Sequence, residues 1–95
     1  METVREKLDD LLVDGYTLLE PATYDEAIVG FVERYGMSTV VIYDLDKVIK
    51  ILRKDGMDEM EAWDFYMVNI LGAWMGDYTP AFVTLFNTGE NDGTT

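Results

Sequence analysis

An α+β fold, a small antiparallel three-stranded sheet packed by two to three helices, is predicted by three features of this chain. Thr3, Asp44 and Asp58 each stand where a helix N-cap belongs, ahead of apolar residues at helical spacing. Thr39-Val40-Val41-Ile42-Tyr43 is β-branched and ends on an aromatic, the composition of a strand. A strand needs neighbours, because two strands alone are marginal in water, and the segments 27–33 and 81–86 supply them. At 95 residues the chain is expected to be one domain. Residues 1–20 form a helix and connection, 21–86 the core, and 87–95 a frayed, polar tail.

Taken in order, Thr3 and Glu6 make the capping-box pattern of a first helix, with Val4, Leu8, Leu11 and Leu12 as its apolar stripe. Gly15 sits where a C′ glycine belongs. Residues 16–19 read as extended, and Glu20-Pro21 ends them. The segment 23–36 supports two readings. As a helix capped by Thr23 and Glu26, it buries Tyr24, Ala27, Ile28, Phe31, Val32 and Tyr35. As a strand it runs over 27–33, turns at Tyr35-Gly36 and pairs with 38–43. The hairpin is preferred because the β-branched run needs a partner.

Asp44 then caps a second helix that buries Leu45, Val48, Ile49 and Leu52, and Gly56 ends it. Its outer face carries Lys47, Lys50 and Lys54, with Arg53 alongside. Asp58 and Glu61 cap a third helix, and both carboxylates suit its positive N-terminal end. The spacing predicts that this helix buries Met60, Trp63, Met67, Ile70 and Trp74, with Glu61, Asp64 and Val68 opposite. Gly72 and Gly76 mark a close approach or an unwinding, and Pro80 opens the last strand at an edge-tolerant position.

Composition narrows the function classes. Nineteen Asp and Glu against seven Lys and Arg give a net charge of −12. That charge opposes direct binding to nucleic acid or to an anionic membrane surface, and it favours encounter with basic proteins. Solubility and adaptation to high salt are the competing explanations of the same number. From Asp55 onward there are eight carboxylates and no lysine or arginine. The absence of cysteine excludes disulfides and thiolate chemistry, and the absence of histidine excludes imidazole catalysis and imidazole metal ligands. No apolar run is long enough to span a membrane. The charged start METVREKLDD is unlike a secretory signal, so a cytoplasmic location is expected.

No motif here announces catalysis. Asp44-Leu-Asp46 and Asp55-Gly-Met-Asp58-Glu59 lack the ligand spacing of a calcium loop, and capping accounts for Asp44 and Asp58. No metal, no cofactor and no catalytic residue are therefore expected. Asp77, Tyr78, Thr79, Tyr43 and Asn69 are the residues an enzyme would have to use. Asn69 is the candidate polar contact, set beside the expected buried stripe, where a structural amide bonded to a loop carbonyl is the simpler reading. Trp74 and Met75 face different sides of one turn, so one of them belongs at an interface. The lysine stripe reads as a solvated face, or as one paired to the carboxylates of the next helix.

From Tyr24 to Phe82 the chain resembles a family of small proteins encoded by tailed bacteriophages. The matching pieces are Tyr24 to Gly30, Val41 to Lys47, Asp55-Gly56-Met57, Glu61-Ala62, and Asn69-Ile70-Leu71-Gly72-Ala73-Trp74-Met75-Gly76-Asp77-Tyr78-Thr79-Pro80. The last fits an N-(I/V)-x-G-A-(Y/W)-x-G-(E/D)-x-T-P pattern, with Asp77 where glutamate is the usual residue. Trp63-Asp64-Phe65-Tyr66 also departs from it. The resemblance implies a phage product acting in the cytoplasm of an infected bacterium. It makes Gly72, Gly76 and Pro80 shape-setting positions, with Asn69 and Asp77 as polar contacts.

The expectation that follows is an acidic protein-binding factor for a basic surface on a host or phage protein. A host-takeover or counter-defence inhibitor is its expected form, of anti-CRISPR or anti-restriction type, with nucleic-acid mimicry as one mode. Glu59, Glu61, Asp64 and Asp77 are its expected contacts, with Trp74 as apolar anchor. The alternative is a phage structural or assembly accessory that self-associates, for instance as a homodimer, through Gly72, Gly76 and Trp74. A third reading places a ligand pocket at Asn69, Tyr43 and Asp77.

Overall fold

The computed structural model describes residues 2–86, so the tail expected over 87–95 lies outside the described residues. The chain runs α1 (Val4–Leu11), a short 3-10 helix (Ala22–Ala27), β1 (Ile28–Arg34), β2 (Met37–Asp44), α2 (Leu45–Lys54), α3 (Glu59–Phe65) and β3 (Ala81–Val83). Beyond Phe65 the helix continues as a π-helical segment, Tyr66–Leu71. This is the α+β fold that the sequence predicts.

Sheet order is β1-β2-β3. The hairpin forms antiparallel, with Phe31 opposite Val41 and Val32 opposite Val40. The third strand departs from expectation: β3 lies parallel to β2, Ile42 opposite Ala81 and Tyr43 opposite Phe82, so the sheet is mixed. Its direction follows from the connection, since the helical crossover after β2 returns the chain to run alongside it, which a tight turn cannot do. β3 is also shorter than 81–86, pairing only at residues 42–44 of β2.

Over 23–36 the hairpin forms and the longer helix does not: Thr23 caps nothing and Tyr35 is fully exposed. The short 3-10 helix buries Tyr24 and Ala27, and the strand then begins at Ile28. All three expected N-caps form, Thr3 and Asp58 with full capping boxes and Asp44 through Asp46 N–H. Each such cap is worth about 1 kcal/mol. Leu12 is the C-cap of α1, so Gly15 closes the next turn instead, its N–H donating to the Leu12 carbonyl at 3.1 Å.

Tyr43, Leu52, Val41 and Val48 are the largest fully buried side chains, and they place the core between β2 and α2. Burying one such group contributes about 1.5–3 kcal/mol. An aromatic ladder extends it: Tyr66 meets Phe82 edge-on at 5.3 Å, and Phe82 lies 5.9 Å from Tyr43.

The expected face of the third helix is the main correction. Ala62, Tyr66 and Ile70 are buried there, whereas Met60, Met67 and Trp74 are exposed and Trp63 is more than a third exposed. Only Ile70 of the expected stripe is in the core. The segment is apolar on two sides, so spacing alone does not select one. Small Ala62 and the ring of Tyr66 against Phe82 decide it. Glu61, Asp64 and Val68 are exposed as expected.

Candidate protein-binding face

The N-terminal turn of α3 begins at Asp58, whose carboxylate accepts the Glu61 N–H at 2.9 Å while Glu61 accepts the Asp58 N–H at the same distance. Glu61 is thereby committed to the cap. Glu59 and Asp64 remain on the surface and share a shallow depression with Asp58, Met60 and Trp63. Trp63 is held edge-on against Tyr66, ring centroids 6.0 Å apart, so a buried ring supports an exposed one.

Along the same helix Met67, Val68 and Leu71 are exposed too, and Trp74 is exposed on the loop beyond it. Met60 is 75% exposed, Met67 54% and Trp74 77%. A run of large apolar groups left in water costs solvation free energy, and on a soluble domain such a patch marks an interaction surface. Residues 55–95 contribute no cation to it, although Arg34 of the hairpin lies beside Trp74. The candidate face is therefore apolar along its length and rimmed by carboxylate at its N-terminal end.

Trp74 and Asp77 lie apart from that depression. Together with Arg34, Ser38 and Thr79 they line a cavity of about 530 Å³ beside the hairpin turn. The loop carrying them is organised by Thr79, whose hydroxyl accepts Met75 N–H at 2.8 Å and donates to the Gly76 carbonyl at 2.6 Å. Tyr78 donates its hydroxyl to the Asp14 carbonyl at 3.1 Å, tying the loop to the chain after α1. The five expected contact residues thus divide into Glu59, Glu61 and Asp64 on α3, and Trp74 with Asp77 on the following loop.

Gly72 donates its N–H to the Met67 carbonyl at 3.1 Å, the i→i−5 bond of the π segment. A Cβ at this position would stand 3.0 Å from that same oxygen and 3.1 Å from the Val68 carbonyl. Gly76 has a φ of +93°, a conformation that side-chain-bearing residues seldom adopt. Pro80 is buried just ahead of β3.

Asn69, expected half buried with a loop carbonyl, is exposed and makes no side-chain hydrogen bond among the described residues. Tyr43 is fully buried, with its hydroxyl on the Leu19 N–H at 2.8 Å. Asn69, Tyr43 and Asp77 therefore occupy a helix surface, the core and a loop, and they form no common pocket. Among the described residues no three carboxylates gather as a metal ion would need, and no helix is long and apolar enough to cross a membrane.

On the second helix the solvated face is the reading that holds. Lys47, Lys50, Arg53 and Lys54 make no ion pair with α3; among the described residues the one salt bridge is Arg5 to Asp25, at 2.6 Å. The four cations line a groove of about 730 Å³ with Glu26 and Met57.

The spacing favours Met60, Trp63 and Met67 as core, whereas they are surface groups. The available signal was an α3 apolar on more than one side, which a core on one side cannot absorb. No family model, curated protein or solved structure matches the chain.

Proposed function

We propose that this chain is an acidic protein-binding factor that docks on a basic surface of a partner protein through α3 and the segment that follows it. The observation that carries this reading is the exposed Met60–Trp63–Met67 surface beside Glu59 and Asp64, with no cation in that half of the chain. Apolar groups supply contact area, and the carboxylates select a cationic rim and speed encounter. The likeness to small tailed-phage proteins sets the context: a factor in the infected bacterial cytoplasm, blocking a host or counter-defence target of anti-CRISPR or anti-restriction type. A surface that normally holds nucleic acid is the basic surface such a factor would mimic a ligand for. The reading is one of binding rather than catalysis.

The test is affinity capture from bacterial host lysate at low and moderate salt, with E59K/D64K as the paired variant. A salt-sensitive partner retained by the wild type and lost by the variant supports the reading. Equal retention by both removes α3 from the interface. A second reading, assembly through self-association at Trp74, rests on the exposure of that indole. W74S run beside the wild type in sedimentation tests it, and an unchanged oligomer rejects it.

A further inference from the structure

The proposed function leaves one surface of opposite sign unused. The outer side of α2 holds Lys47, Lys50, Arg53 and Lys54, four of the seven cations in the chain, within eight positions. None has an ion-pair partner among the described residues, although nineteen carboxylates are present in the chain. The groove they line has an apolar side as well, from Ile51 and Met57. On the next helix Glu59 and Asp64 flank exposed Met60 and Trp63. The groove holds four cations against the one carboxylate of Glu26, and the α3 face holds carboxylates without a cation.

We infer that a second copy of this chain occupies the α2 groove, presenting its own α3 face, in a two-fold symmetric dimer. A two-fold interface requires a self-complementary patch, in which each contact is made twice. The α2–α3 pair supplies the two halves of such a patch, because consecutive helices carry one cationic and one acidic face, each with apolar groups to bury. Within one molecule the two faces do not pair, so both remain available. Pairing lysines with carboxylates across the dimer also relieves, at the contact, the repulsion that a charge of −12 sets between copies. Because α3 is the same face that docks the proposed partner, the dimer and the partner complex exclude one another.

Sedimentation of the purified chain, without any partner, tests this inference separately from the proposed function. Two variants are compared with the wild type: K47E/K50E, which takes away the cationic excess of the α2 groove, and E59K/D64K, which takes away the acidic excess of the α3 face. All four positions are exposed, and circular dichroism confirms that each variant is folded. The wild type is expected to dimerise, each variant alone to lose at least about tenfold in self-affinity, and an equimolar mixture of the two to recover a heterodimer. A wild type that stays monomeric at concentrations used for nuclear magnetic resonance overturns the inference. So does a dimer that either variant retains alone, which would place the interface elsewhere, or a mixture that fails to associate, which would assign the α2 groove to some other anion.

Discussion

The buried hydroxyl of Tyr43 accepts the backbone N–H of Leu19 at 2.8 Å, joining the connection after α1 to the central strand. Both residues are in the core, and 24 positions separate them in sequence. The bond gives a buried amide the partner it would lose on leaving water, so the 16–19 segment is held without being part of the sheet. Tyr43→Phe keeps the ring against Phe82 and removes only this acceptor. The expected cost is about 1–3 kcal/mol, the scale of a buried donor left unsatisfied. Urea unfolding of the two proteins measures it, and the loss should be accompanied by faster amide exchange at Leu19.

The same hydroxyl makes stability depend on alkaline pH. Burial pushes the Tyr43 phenol up from 10.0 to about 12, a rise that the N–H from Leu19 partly offsets. Burial raises Tyr24 and Tyr66 as well. A group whose folded value lies above its unfolded one stabilises fully below the unfolded value and loses that contribution as pH climbs towards the folded one. Stability is therefore expected to be flat up to about pH 10 and to fall beyond it, by about 1.4 kcal/mol per pH unit for Tyr43 between 10 and about 12, with Tyr24 and Tyr66 adding in the same direction. Denaturant midpoints across that range test the slope. Phenolate absorbance from Tyr43 should lag behind that of the exposed tyrosines.

The helix face that the structure selects makes opposite predictions for neighbouring residues. Ala62 is fully buried, so Ala62→Leu forces extra volume into a packed site and should cost about 1–3 kcal/mol. Met60 is largely in water, so Met60→Ser should leave stability within about 0.5 kcal/mol of the wild type while weakening any contact made by the face. Had the expected stripe been the buried one, these two effects would be exchanged. Thermal denaturation of both variants decides between the two faces.

Local signals were legible wherever one residue decides the structure. Thr3, Asp44 and Asp58 cap helices because a short oxygen acceptor ahead of an apolar pattern has few other uses. The run 39–43 became a strand because its branched side chains suit a pleated surface. What was not legible depended on partners distant in sequence. The direction of β3 is set by a crossover through two helices, and the phase of α3 by contact with Phe82. The candidate face shows the same division. Its acidity is readable from composition, but the exposure of Met60 and Met67 appears only once Tyr66 and Ile70 have taken the core.

Gly72 is where that phase is protected. Its Cα faces two carbonyl oxygens of the π segment, and a methyl group would meet the nearer at 3.0 Å. Gly72→Ala ordinarily favours a helix by lowering the entropy of the unfolded chain. Here the contact is with backbone, which yields little, so the substitution should destabilise by about 1 kcal/mol or more instead. Recovery of a regular α-helical bond pattern in the variant, seen by amide exchange at 72 and its neighbours, would show that the π turn rather than the whole domain absorbs the change.

Thr79 offers the sharpest separation of its hydroxyl from its shape. The oxygen accepts Met75 N–H and donates to the Gly76 carbonyl, closing the loop that presents Trp74 and Asp77. Thr79→Val keeps the branched outline and removes both bonds, whereas Thr79→Ser keeps the bonds and loses one methyl. Valine should therefore cost about 1–2 kcal/mol and serine less, given about 1 kcal/mol per hydrogen bond. The fluorescence anisotropy of Trp74, read in a Trp63→Phe background so that one indole reports, should fall for valine alone. An equal fall for serine would mean that the methyl packing, and not the hydroxyl, sets the loop.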